Sequence, residues 1–245
     1  MNRQVRTELL KQRTTRAFVA GVAAVPVVAA LATFAILSVA GTQGNPPLGP
    51  ENLPQSLGAP AWVTTVIALV LGVVGMAGEY RYQTITTTFL AAPRRRDVVV
   101  AKLAAYAGAG AAMGMVSLAV SAAIAVPWLT ANDVPVEVGA HVLGAVAGVI
   151  GSTALFAALG VAVAALVRNQ TAAVAGVLVW LLTVEGVFGD IFPGAGFLEW
   201  LPAAAGHALV FPGGLPAPLA AAVSTAYVGI FAVAGIRLTV SRDIS

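Results

Sequence analysis

The chain has no cysteine, only two histidines and few charges, with Asp, Glu, Lys and Arg making up 9% of 245 residues. Each scarcity excludes something. Without cysteine there are no disulfides and no thiolate metal sites. His141 and His207 lie far apart, and neither sits in metal-ligand spacing, so no metal site and no catalytic centre are expected. A soluble domain usually carries about 25% charged residues. With 9%, this chain cannot cover a water-facing surface. A chain embedded in lipid has no such need. The phosphate-binding pattern Gly-x-x-x-x-Gly-Lys-Ser/Thr is also missing, so the chain is not expected to hydrolyse ATP itself.

What the chain does contain is apolar sequence, 59% of it hydrophobic. Crossing the hydrocarbon core takes about 20 helical residues. Six stretches qualify: residues 17–40, 61–78 (slightly short), 98–126, 138–167, 171–191 and 216–240. The first comes after a basic segment, as a secretory leader would. Its apolar core is longer than the roughly 7–15 residues of a leader, so a retained span is expected.

The 13 basic residues test the count. Arg3, Arg6, Lys11, Arg13 and Arg16 precede the first span. Arg81, Arg94, Arg95, Arg96 and Lys102 lie between or beside the second and third. Arg168 separates the fourth and fifth, and Arg237 and Arg242 close the chain. In a six-span chain all of them fall on one side, and an odd number of spans breaks the alternation. Basic loops face the cytoplasm, so both termini are expected there. The pI near 9.7 therefore reads as membrane orientation, not as a nucleic-acid surface. The opposite side carries Glu51, Asp133, Glu137 and Glu199 and most of the loop prolines, as in Asn45-Pro46-Pro47 and Pro212-Gly213-Gly214. The expected fold is all-α: a polytopic membrane protein, one domain over residues 1–245.

Three segments carry more. Residues 1–16 can form an amphipathic helix in the headgroup region, with Val5, Leu9 and Leu10 on one side; a disordered basic tail is the alternative. In residues 79–102, Ile85, Phe89 and Leu90 fall at helical spacing and Pro93 is a stop. A short helix parallel to the membrane, then Arg94-Arg95-Arg96, suits docking onto a cytoplasmic partner or serves as an anchored linker. Residues 192–215 are mostly apolar but broken by Gly and Pro, with Trp200 as an interface-seeking residue. Glu185 lies about 22 Å into the fifth span by helical rise. It reads either as a pathway or gating carboxylate or as a group hydrogen-bonded to the next segment. Gly110/Gly114 and Gly144/Gly148 permit close helix contact, within one chain or between two.

The pattern Glu79-x-Arg81-x-x-Thr84, then Leu90-x-x-Pro93-x-Arg95-Arg96, then Lys102 opening the next span, resembles the permease subunits of type-2 ABC exporters. Glu8-Leu9-Leu10-Lys11, with Arg13 and Arg16 after it, is similar to the interfacial helix that opens such permeases. Gln83 departs from the Gly often found before the Thr. The resemblance implies a cytoplasmic coupling helix within residues 79–97 that contacts an ATPase subunit. It also implies an outer re-entrant hairpin at residues 192–215 that caps the pathway, with Glu185 and Trp200 as pathway or gate candidates. Implied partners are two ABC ATPase chains, which bind the ATP and Mg, and a second permease, identical or homologous. The implied activity is export of amphipathic or hydrophobic cargo (a drug, antibiotic, peptide or lipid) across a bacterial plasma membrane. A non-transporting immunity or scaffold protein is the alternative. An intramembrane enzyme is a remote third, since no His cluster or converging acids accompany Glu185.

Overall fold

The structure is a computed structural model that describes residues 2–42, 44–84 and 95–241. In chain order its elements are α1 (Asn2–Thr14), α2 (Arg16–Val39), α3 (Asn52–Arg81), α4 (Arg95–Ala131) and α5 (Ala140–Val167). Then come α6 (Gln170–Val179), a π turn (Trp180–Val184), α7 (Glu185–Ile191), a 3-10 turn (Gly196–Trp200), α8 (Pro202–Ala208) and α9 (Ala217–Ser241). No strand occurs among the described residues. The segment α6–π turn–α7 is continuous, so among the described residues six helical segments are long and apolar enough to cross a membrane. The expected all-helical, six-span architecture is observed.

One boundary differs. The sequence places the start of the second span at residue 61, with an irregular loop before it, yet α3 already starts at Asn52. Leu53, Leu57 and Ala61 recur every four residues and are all buried, which holds this first part against the bundle. Pro60 makes the segment read as loop. Its ring removes the N–H that would bond the Ser56 carbonyl. Thr33 Oγ1 of α2 donates to that carbonyl instead, at 3.4 Å. A neighbouring helix thus satisfies the group that proline freed, as helices in lipid require.

α3 and α5 are the centre of the bundle. The most apolar stretches of these two are 61% and 67% buried, against 11% for the fifth span and 22% for the sixth. In lipid the hydrophobic effect does not drive helices together, so close packing and interhelical hydrogen bonds must. Both are present. A Cβ added at Gly72 would strike the carbonyl oxygen of Ala157, and one at Gly160 would strike that of Leu69. The two backbones meet where side chains are missing. Gly110 and Gly114 let α4 approach Thr153 of α5 in the same way, so this pair packs within the chain. Gly148 receives the carbonyl of Leu209, whereas Gly144 has nothing within 4 Å. Hydroxyls then pair between helices: Thr33 with Ser121 at 3.0 Å, Ser121 donating while the Thr33 hydrogen serves the Ser56 carbonyl, Thr64 with Ser117 at 3.3 Å, and Thr65 with Ser152 at 3.4 Å. Each contributes about 0.6 kcal/mol in such settings.

Gly72→Val forces the α3 backbone away from Ala157. It is expected to cost at least about 1–3 kcal/mol, seen as a lower melting temperature of the detergent-solubilised protein, whereas Gly144→Val is expected to be neutral.

Candidate functional sites at the two ends of the bundle

At the basic end, four side chains from three helices form a buried ionic cluster. Lys102, 1% exposed, opens the membrane-embedded part of α4. Its ammonium donates to Glu8 Oε2 at 2.6 Å, to Glu79 Oε1 at 3.0 Å and to the Gly75 carbonyl at 3.2 Å. An ammonium has three donors, and all are used. Lys11 donates to Glu8 Oε1 at 2.7 Å and to Glu79 Oε1 at 2.8 Å. Two cations and two carboxylates therefore alternate with no net charge. They join α1, the end of α3 and the start of α4. Tyr106, one turn beyond Lys102, closes the cluster from the apolar side. A Cβ at Gly75 would strike its hydroxyl, so only glycine leaves room there for both the ring and the carbonyl that Lys102 uses.

Charge dictates the orientation of α1. The helix expected at residues 2–14 is there, but its protein-facing side is polar: Glu8 and Gln12 are buried. Leu9 and Leu10 are 41% and 57% exposed and point away from the bundle. Burial raises the pKa of the Glu8 carboxyl, but attraction and hydrogen bonds from Lys102 and Lys11 outweigh it, leaving the group below its ordinary value. Burial lowers that of Lys11, but hydrogen bonds to Glu79 and Glu8 outweigh it and leave the ammonium above its ordinary value.

α3 ends just beyond Glu79 in a tight cap. The Gln83 N–H donates to the Tyr80 carbonyl at 3.3 Å and the Thr84 N–H to the Glu79 carbonyl at 3.0 Å. This is a Schellman arrangement, whose pivot residue must be left-handed. Gln83 is that pivot, with φ 55°. It is the position where glycine would be the ordinary choice, and a side chain there costs about 1 kcal/mol.

Of the remaining motif residues, Arg81 is exposed and reaches Gln170 Oε1 of α6 at 3.4 Å. Arg13 is exposed on α1. Arg96 is exposed, 3.5 Å from Asp97. The short helix expected around Ile85, Phe89 and Leu90, its stop at Pro93, Arg94 and the side chain of Arg95 lie outside the described residues. Of the motif, Glu79 and Lys102 are thus turned inward, while Arg81 and Arg96 remain on the surface. Arg168, left-handed at φ 56°, ends α5; it donates to the Leu238 carbonyl of α9 at 2.8 Å and lies 5.4 Å from the centre of the Tyr80 ring.

At the opposite end, Glu185 is 9% exposed. It accepts hydrogen bonds from the Ala203 N–H at 2.9 Å and 3.1 Å and from the Ala204 N–H at 3.4 Å. The fifth span is thereby tied to the first turn of α8, in keeping with the reading of Glu185 as a group bonded to the next segment. The π turn ends on Glu185, whose N–H bonds the carbonyl of Trp180, five residues back. Such widened turns occur often at functional positions. The carboxylate lines an open cavity of about 520 Å³ with Trp62, Leu181, Leu201, His207 and Phe211 among its walls. Trp200 is half-exposed and does not line the cavity; its carbonyl accepts from the Tyr227 hydroxyl at 3.1 Å.

The family model described as ABC-2 family transporter protein matches residues 4–185. The chain belongs to the ABC-2 transporter family. No curated protein matches it. The match begins inside α1 and ends at Glu185, so all four members of the ionic cluster fall within the ABC-2 region, and α8 and α9 lie beyond it. The chain is accordingly a multi-pass membrane component of an ABC transporter. Sequence reasoning selects Glu8, Lys11, Glu79 and Lys102 separately and misses that they meet. It also misses Tyr106, although a spacing of four from Lys102 puts it on the same helical face. Nothing in Trp180–Val184 signals a π turn.

Removing one member of a buried ion cluster costs about 3–5 kcal/mol, because its partners stay charged. Lys102→Met is expected to release α1, read as faster amide exchange over residues 4–14. Adding Glu79→Gln, which restores charge balance with the Glu8–Lys11 pair, is expected to recover part of that protection. Protection of α1 also depends on pH in a defined direction. The Glu8 contribution is complete above its ordinary value of 4.5 and is lost as pH falls through the lowered value in the folded chain. The Lys11 contribution is complete below 10.5 and is lost as pH rises through the raised one. Protection of α1, taken relative to the intrinsic exchange rate at each pH, is therefore expected to be constant between these limits and to fall below the first and above the second.

Proposed function

We propose that the chain is the permease subunit of a type-2 ABC exporter, working with a second permease and two separate ATPase chains. Both termini face the cytoplasm of a bacterium, and cargo leaves through an apolar route between permeases. The observation that carries this reading is the ionic cluster at the root of the α3–α4 connection. A partner pressing on residues 85–94 acts on the ends of α3 and α4. Those ends are pinned to each other through Lys102 and Glu79 and to α1 through Glu8 and Lys11. A push on the loop then moves three helices as one body instead of being absorbed by a soft linker. The rigid cap at Gln83 works to the same end. Without a phosphate-binding loop in the chain, the ATP must be hydrolysed by a partner. Arg81 and Arg96 are the surface charges that an acidic ATPase cleft could engage.

The test is co-purification. The detergent-solubilised protein is expected to retain an ATPase with a Walker motif, and Arg95→Glu with Arg96→Glu is expected to lose both that partner and ATP-dependent export from cells. Unchanged export in the double variant, with no ATPase recruited by the wild type, defeats the reading.

A further inference from the structure

The end of the bundle that holds Glu185 has an unusual charge inventory. Glu51, Asp133, Glu137, Glu185, Asp190 and Glu199 all lie at that end, and none of its connecting segments carries a Lys or Arg. Five of these six carboxylates sit in or beside connecting segments, where water can solvate them. Glu185 does not. It is buried in the fifth span, where its hydrogen-bond donors are the Ala203 and Ala204 backbone N–H groups. No Lys or Arg among the described residues is paired with it. Carboxylates inside membrane proteins are rare, face the bundle interior or a watery cavity, and mark substrate or ion pathways or the counter-charge of a bound ligand. Neutral donors hold the group in place without supplying a counter-charge, and a carboxylate with about four lone-pair sites keeps acceptor capacity beyond them.

The surroundings of the carboxylate say what kind of cation would suit it. The cavity of about 520 Å³ lies within the range of small-molecule sites. Its walls are apolar and aromatic: Trp62 comes from α3, Leu181 from the π turn, and Phe211, with His207 stacked at 4.8 Å between ring centres, from the segment after α8. A small hydrated metal ion needs several oxygen ligands, and these walls do not offer them. A positive charge carried on a hydrophobic body finds both a carboxylate and aromatic faces, which attract cations without demanding hydrogen bonds. The acidic rim adds a field that draws such a molecule in.

We infer that this cavity is a binding site for hydrophobic cations, with Glu185 as the counter-charge and Trp62 and Phe211 as the aromatic wall. It rests on the exporter reading only for the fate of the bound molecule; the site itself needs no ATPase. Cargo carrying a quaternary or protonated amine, or a phosphonium, is the class that fits. Glu185 also holds the first turn of α8, so a bound cation shares the carboxylate with the segment that walls the cavity.

The test uses two probes of the same shape and opposite charge, tetraphenylphosphonium and tetraphenylborate, and saturable binding of each to the purified full chain. The wild type is expected to prefer the cation. Glu185→Gln is expected to weaken cation binding on the order of tenfold or more and to leave the anion unaffected. Trp62→Leu, which keeps the hydrogen bonds to α8, is expected to weaken the cation about threefold. It decides the matter if Glu185→Gln does not fold. Equal binding of the two probes by the wild type overturns the inference, as does a cation affinity left unchanged in whichever of these variants folds. Preference without ATP-driven export defeats the exporter reading alone; export without preference defeats this one alone.

Discussion

A lysine that is 1% exposed at the mouth of a lipid-embedded bundle is the constraint on which much of the architecture depends. A cation buried there calls for carboxylate partners, and the nearest helix supplies one, Glu79. A second carboxylate has to come from outside the six spans, and α1 brings it. Lys11 then balances the surplus negative charge. The arrangement explains why an N-terminal helix with leucines on its surface turns its polar side to the protein. The leucines are left for the headgroup boundary, and the ions hold the helix. It also explains why Gly75 has no side chain and why Tyr106 stands over it: the site must be closed against lipid while its carbonyl remains available.

The two ends of the bundle solve the same electrostatic problem differently. At the basic end, four charges cancel and tie three helices together. At the acidic end, Glu185 has dipoles for company instead of a charge, and it borders a cavity. A cancelled cluster gives rigidity, while an uncancelled carboxylate leaves a field for something else to answer. The π turn adds to this contrast. It sits directly before Glu185 in the fifth span, the least buried of the six, where little packing opposes a wider turn.

The span count is legible because apolar runs of helical length and the alternation of thirteen basic residues are both one-dimensional signals. The start of α3 is not, because Pro60 looks like loop punctuation until Thr33, 23 residues away from Ser56, is seen to satisfy the carbonyl. Glu8, Lys11, Glu79 and Lys102 can be picked out by motif. Their meeting cannot, since sequence does not say which face of α1 turns inward. For α1 the leucines suggest an apolar face and the structure shows that the ions set it. Helical rise places Glu185 toward the far end of the fifth span, but its acceptance of the α8 N–H groups depends on a chain reversal that the Gly- and Pro-rich stretch after it does not encode locally. Gln83 is the opposite case. Its departure from glycine marks a position whose left-handed backbone the structure then accounts for.

The ionic cluster also has a history in time. Glu8 emerges from the ribosome 94 residues before Lys102. At bacterial and eukaryotic elongation rates this is a wait of roughly five to twenty seconds. During that interval Glu8 can pair only with Lys11 of its own helix, and α1 has nothing in the bundle to hold it. Only when the hairpin of the second and third spans has inserted with its basic end on the same side does α1 find Glu79 and Lys102 together. A hairpin inserted the wrong way round puts them on the far side of the bilayer, out of reach. Closure of the cluster is thus a late event that only a correctly threaded chain completes, which makes it a checkpoint on biogenesis as well as a joint in the finished molecule.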